Sequence, residues 1–160
     1  MKKHTEIESP YGLLTLVADD GVLCGLYMTD HRHRPALETF GPRDDRPFGE
    51  AMDQLSAYFA GELKEFDLEL RMPGTPFQRS VWEQLRLIPY GETRSYGELA
   101  LALGNRGASR AVGLANGRNP ISIIVPCHRV IGSSGSMTGY GGGLERKQRL
   151  LDFERGAALF

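Results

Sequence analysis

Short runs of alternating apolar and polar residues, broken by tight turns, open the chain. Thr5-Glu6-Ile7-Glu8 leads into Ser9-Pro10-Tyr11-Gly12, Leu13 to Val17 runs to Asp19-Asp20-Gly21, and Val22 to Met28 follows. Runs of this length between turn residues predict an antiparallel meander. Residues 29–47 are rich in Arg, His, Asp and Pro without a sustained period and read as a long loop. From Phe48 the spacing changes: Phe48, Met52, Leu55 and Phe59 predict one face of a helix ending near Gly61. Phe66, Leu68, Leu70 and Met72 alternate, which predicts a further strand before the break at Pro73-Gly74. A subdomain boundary placed there divides the chain into 1–73 and 74–160.

The second region begins with a strong helix signal. Thr75 is a cap, Pro76 suits the first helical position, and Phe77, Val81, Trp82, Leu85 and Ile88 form an apolar face that Pro89-Tyr90-Gly91 ends. Ser95 and Glu98 have capping-box spacing and open a second helix through Tyr96, Leu99, Ala100 and Leu103. After Gly104-Asn105-Arg106-Gly107, residues 108–116 predict a third helix, so the pair has the form of a helix-turn-helix. Apart from Arg110, the last helix offers mainly small residues: Ala108, Ser109, Ala111, Gly113 and Ala115. Such a helix suits either close approach to a surface as narrow as a DNA minor groove or tight internal packing.

Composition supports cores rather than disorder: of 160 residues, 41% are hydrophobic and 24% charged. Apolar runs such as Ile123-Ile124-Val125 are too short to span a bilayer. Glu6 and Glu8 stand where a signal peptide needs an apolar run, so a cytoplasmic protein with two thiols is expected. The net charge of −1 hides a division. Residues 1–70 carry 7 Lys/Arg against 14 Asp/Glu, whereas 71–160 carry 12 against 6, with Lys147 the single lysine. An arginine-rich half fits a polyanion.

Chemistry concentrates in Asn119-Pro120-Ile121-Ser122-Ile123-Ile124-Val125-Pro126-Cys127-His128-Arg129-Val130. Pro126 stiffens the approach to Cys127, and His128 supplies a base beside it. An unperturbed thiol with a pKa near 8.5 is only a few per cent thiolate at pH 7, so a nucleophile needs such help. Neighbouring side chains of an extended segment point to opposite sides, so a turn or a bridging water must join the two.

Pro126-Cys127-His128-Arg129-Val130 resembles the active-site signature of the O6-alkylguanine-DNA alkyltransferases (methylated-DNA–protein-cysteine methyltransferases), in their stand-alone bacterial form. Supporting blocks are Thr75-Pro76-Phe77-Gln78, Ile88 to Glu92, Ser95 to Ala100, Ser109 to Gly113, and Leu150-Leu151 before Glu154. The resemblance implies an α+β fold: a small ribonuclease-H-like subdomain with an antiparallel sheet, then a helical subdomain with a helix-turn-helix and wing. It implies binding of duplex DNA through the minor groove, by a monomer able to act cooperatively, and extrusion of the damaged nucleotide. An alkyl group on guanine O6, or on thymine O4, would then pass irreversibly to Cys127. His128 would take the thiol proton through water, Glu154 would orient His128, and Asn119 would brace the turn. Tyr96 would contact guanine N3 and drive rotation, while Arg110 would fill the vacated space. Ala108, Ser109, Ala111, Gly113 and Asn116 would complete the DNA-facing helix. Val130, Tyr140, Gly141 and Gly142 would line the base pocket with Tyr96. Together with Gly139 and Gly143, these glycines would widen it for adducts larger than methyl.

A thioether offers water no easy leaving group and no second nucleophile is evident, so one turnover per molecule follows. Neither a cofactor nor a metal is implied. Cys24, His4, His31 and His33 have ligand chemistry for zinc but do not match the ligand positions of zinc-bearing relatives. Gly139-Tyr140-Gly141-Gly142-Gly143 lacks the Lys-Ser/Thr of a P-loop. Two other classes stand beside alkyl transfer. A non-catalytic lesion binder would lack the cysteine, and a turning-over cysteine hydrolase would leave the helix-turn-helix unexplained.

Overall fold

The computed structural model describes residues 1–132, 135, 140 and 142–156. Strands β1 (Lys2–Ile7), β2 (Leu14–Asp19) and β3 (Val22–Met28) form the expected antiparallel meander in sequence order. Thr5 stands opposite Leu16 and Leu16 opposite Leu26, with a register shift between Val17 and Ala18. Alternation then sorts the two faces. Leu14, Leu16, Leu26 and Met28 enter the main core, while Val17, Cys24 and Tyr27 form a second cluster with Phe40. The 29–47 segment covers this second face. It contains 3-10 turns at Leu37–Phe40 and Arg46–Phe48, and Phe40 stacks on Tyr27 at 5.6 Å between ring centroids.

Helix α1 (Gly49–Phe59) forms where its spacing predicts and buries Ala51, Leu55 and Tyr58. The expected strand over Phe66–Met72 does not form. Its apolar residues do pack on the core, but its backbone meets β3 only at a single bridge between Leu70 and Leu23. Two other groups explain why. Gln54 takes both the N–H and the carbonyl of Asp67, and a bridge from Leu26 to Ile121 occupies the next stretch of the same β3 edge. Thus β3 is continued by a segment from the second region, with Leu26 N–H donating to Pro120 O at 2.8 Å and Ser122 N–H to Leu26 O at 3.3 Å.

Helix α2 (Pro76–Arg86) has the full capping box from Thr75 and Gln78. Val81, Trp82 and Leu85 are buried, but Phe77, expected on the apolar face, is 37% exposed because it lies in the first turn beyond the core's edge. Helices α3 (Tyr96–Ala102, capped by Ser95 and Glu98) and α4 (Ser109–Gly117) form the helix-turn-helix. The indole N–H of Trp82 donates to Ala115 O at 2.8 Å and fastens α4 to α2. Short strands β4 (Arg94–Ser95) and β5 (Val130–Ile131) pair in parallel and tie the start of α3 to the chain just after Cys127. Helix α5 (Leu144–Glu154) closes the fold. The wing expected between β5 and α5 falls mainly outside the described residues.

His31 links the loop to the chemical segment. Its Nδ1 accepts from Met28 N–H at 3.2 Å, and its Nε2 lies 3.3 Å from the Ser122 hydroxyl. Burial, aided by the nearby Arg146 and Arg34 charges, pushes its pKa down to about 4. The unfolded chain therefore binds a proton near pH 6.5 that the folded chain refuses. Stability should fall as pH drops through 6.5 toward 4, by about 2 kcal/mol between pH 7 and pH 5. Urea unfolding at both pH values tests this: His31→Asn should remove most of the difference.

Candidate active site

The segment before Cys127 is held by its own amides. Asn119 Oδ1 accepts from Ile121 N–H at 3.0 Å, and its Nδ2 donates to Val125 O at 2.7 Å, so one side chain closes both ends of the 119–125 loop. At its apex Ile123 has φ +73°, a left-handed conformation that a β-branched residue adopts only under strong external constraint. The constraint is visible: Ile123 is buried, and Val125 N–H reaches back to Ile121 O at 3.0 Å. Pro126 then leads into a 3-10 turn over Cys127–Arg129, which supplies the turn that the adjacent Cys and His required. Asn116 Nδ2 donates to Cys127 O at 3.4 Å.

Cys127 itself is 3% exposed. Burial pushes its thiol pKa up, against opposing hydrogen bonds from Asn119 and Ser122 and the charge of Lys147. His128 is fully buried, with Nε2 2.8 Å from Glu154 Oε2 and Nδ1 without a hydrogen-bond partner among the described residues. Burial holds the imidazole below its ordinary pKa in spite of Glu154, which favours the proton. Glu154 collects more than histidine. Arg129 donates from Nε to Oε1 at 2.8 Å and from Nη2 to Oε2 at 3.0 Å, and Tyr58 donates its hydroxyl to Oε2 at 2.5 Å. Burial alone would raise the Glu154 pKa, but His128 and Arg129 together hold it well below the usual carboxylate range. Arg129 also donates to Ile88 O at 2.7 Å and lies over the Tyr90 ring.

Tyr96 opens α3 and packs its ring beside Gly113 of α4; a β-carbon at Gly113 would lie 3.9 Å from that ring. Arg110 and Ala111 are exposed on α4, with Ser109 and Gly113 half-buried. Two residues expected to face DNA turn inward instead. Ala108 and Asn116 are buried, Ala108 in the core and Asn116 bonded to the Cys127 carbonyl, because the turn and the helix's inner face pack on the fold. Ala115, also expected at the surface, is buried under Trp82. One turn after Arg110, Leu114 is 71% exposed.

Val130 and Tyr140 are buried near the turn, and Gly142 packs so tightly that a β-carbon would meet Met28 Sδ at 2.6 Å and the Tyr140 ring at 2.7 Å. Gly139 and Gly141 lie outside the described residues. Among the described residues no three His, Cys, Asp or Glu side chains converge as a metal site, and no helix is long and apolar enough to cross a membrane.

Family models cover both regions: the 6-O-methylguanine DNA methyltransferase ribonuclease-like domain matches residues 2–72, and the DNA-binding domain of the same family matches 76–156. The chain belongs to this methyltransferase family. It is 59% identical over 155 residues to a methylated-DNA–protein-cysteine methyltransferase of Mycolicibacterium paratuberculosis, covering 97% of this chain and 93% of that one. The O6-methylguanine methyltransferase of Mycobacterium tuberculosis is 56% identical, with TM-score 0.91 over 99% of this chain and 96% of the other. The same organism's OGT in complex with DNA matches with TM-score 0.89 at 55% identity, over 96% and 93% of the two chains.

For a methyltransferase of this family, the site holds three residues that sequence reasoning missed: Tyr58, Arg129 and Lys147. Lys147 is fully buried, and burial pushes its pKa down to about 8 against the opposing pull of Cys127. A signal existed, since Lys147, Leu150, Leu151 and Glu154 share one helical face. A polar residue on a buried stripe marks a group kept for its chemistry or its partner. Arg129→Ala would leave the Glu154 carboxylate buried without its guanidinium partner. It should cost about 3–5 kcal/mol in urea unfolding, far more than a surface arginine.

Proposed function

We propose that the chain repairs DNA by taking an alkyl group from O6-alkylguanine, and from O4-alkylthymine, onto Cys127 in a single irreversible turnover. The observation that carries this is the turn that sets a buried thiol beside His128, with Glu154 fixing the outer imidazole nitrogen. His128 Nε2–H donates a hydrogen bond to the Glu154 carboxylate, which leaves Nδ1 as the basic atom. A water between Nδ1 and the thiol would relay the Cys127 proton to His128, and Glu154 would stabilise the imidazolium. The thiolate then attacks the alkyl carbon; the S–C bond forms as the C–O6 bond breaks, and its electron pair passes to the purine. Tyr96, at the start of α3, would donate to N3 as charge develops there. The Lys147 ammonium favours the thiolate over the thiol, which offsets the burial that opposes it.

A thiol this enclosed cannot reach a base inside a stacked duplex, so the nucleotide must be extruded to it. Exposed Arg110, with Ala111 and half-buried Gly113 beside it, suits close approach of α4 to the minor groove and occupation of the emptied stack. Side-chain contact with DNA is assigned to Ser109, Arg110 and Ala111, whereas Ala108 and Asn116 serve the fold and the turn. Val130, Tyr140 and Gly142 line the base pocket with Tyr96. The protein acts as a monomer that can assemble cooperatively on DNA. A non-catalytic binder is disfavoured because Cys127 is present with its base and counter-charge.

Intact-mass analysis after incubation with methylguanine duplex tests the proposal. One stable methyl per chain is expected, and Cys127→Ser should bind the duplex without gaining mass. Continued release of product, or methyl on any other residue, would refute it. Arg110→Ala should react normally with the free base O6-benzylguanine but slowly on duplex; equal slowing on both would remove the finger role. Lys147→Met should slow the free-base reaction about 10-fold or more at neutral pH, because a cation near a thiol lowers its pKa by 1–3 units.

A further inference from the structure

The Cys24 and His33 pair, once set aside as zinc ligands, lines a different feature. A cavity of about 300 Å³ opens between the outer face of the sheet, the 29–47 segment and the end of α4. Its charged lining consists of Lys2 from β1, Arg32 and His33 from the loop, and Arg118 just after α4; no carboxylate lines it. This is unexpected for the region that supplies most of the wall, since residues 1–70 hold 14 Asp/Glu against 7 Lys/Arg. Among the described residues Lys2, Arg32 and Arg118 form no ion pair. The groups also crowd one another: burial and then the charges of Arg118 and Arg32 disfavour protonation of His33. Tyr27 and Trp82 add apolar surface.

Like charges gathered from three parts of the chain around one open cavity repel one another, and a bound anion relieves that repulsion. Two guanidinium forks match the oxygens of a phosphate better than a single carboxylate. We propose that this cavity is a phosphate-binding site, filled by a phosphate of the strand flanking the lesion or by a free phosphate ester. The first source follows from placement. Arg118 lies eight residues beyond Arg110, about 12 Å along the helix axis, within reach of a strand whose phosphates recur at about 3.4 Å. That source rests on the function proposed above, whereas the free ester does not.

Trp82 is the single tryptophan and lines the cavity, so its fluorescence reports occupancy. The wild type and an Arg32→Ala/Arg118→Ala double variant, both changes at exposed positions, should be titrated with inorganic pyrophosphate and with 2′-deoxyguanosine 5′-monophosphate. Their affinity for unmodified duplex should also be measured across a salt series. Saturable binding of either small anion, weakened 10-fold or more in the variant, supports the free-ester source. No small-anion binding, with the salt slope of duplex affinity reduced by about 2 in the variant, supports the flanking strand. No change in either measurement overturns the proposal. Labelling of Cys127 by O6-benzylguanine should be the same in both proteins; its loss in the variant alone would show that these arginines serve the catalytic turn and count against the site. Absence of labelling in the wild type would sink the proposed function while leaving the anion titrations to decide the cavity.

Discussion

A single buried carboxylate organises the reactive end of this protein. Glu154 accepts from Tyr58 of α1 and from His128 and Arg129 of the cysteine turn, while Arg129 carries the connection on to Ile88 behind α2. Removing a carboxylate from water costs several kcal/mol, and only a dense set of charged and neutral donors restores it. Because those donors come from segments far apart in sequence, the site and the fold are stabilised by the same contacts. The demand also settles a chemical question. A carboxylate accepts and never donates, so the imidazole nitrogen facing it carries the proton and the other nitrogen is left basic.

The rest of the site is arranged around that turn. Asn119 closes the loop ahead of it, Ile123 holds a backbone conformation that only its tight surroundings enforce, and the β3 edge receives the same segment through Leu26. The thiol that results is buried and close to Lys147. Burial disfavours the thiolate, and the neighbouring Lys147 cation favours it. Membership of the 6-O-methylguanine DNA methyltransferase family agrees with such a centre, since its relatives are named for transfer to a protein cysteine.

Much of this was legible in the sequence, for identifiable reasons. The meander, α1, and the capped starts of α2 and α3 follow from local signals: turn residues, helical spacing, and the Thr75/Gln78 and Ser95/Glu98 boxes. Residues 66–72 failed the test because alternation reports which side of a segment is buried, not whether its backbone finds a ladder. Phe77 failed because periodicity does not show where the core ends. The Cys127–His128 pair was legible in the residues themselves, with a turn or a bridging water required between them, whereas the roles of Glu154 and Asn119 came from the resemblance. Tyr58 stayed hidden because nothing local marks its hydroxyl as a donor to a residue 96 positions away. Arg129 and Lys147 hid for a related reason: arginine and lysine are usually solvated, and nothing local announces a buried one. Ala108, Ala115 and Asn116 were misplaced outward because small residues suit both a groove and a packed interior.

The central claim is that Glu154 fixes His128 as the neutral imidazole protonated on Nε2, leaving Nδ1 as the base for the thiol. Nitrogen-15 NMR of the histidine ring in the unreacted protein at neutral pH measures this directly. A protonated-type shift at Nε2 with an unprotonated-type shift at Nδ1 is predicted, together with tautomer mixing in Glu154→Gln. A proton on Nδ1, or a ring already cationic at pH 7, would contradict the account.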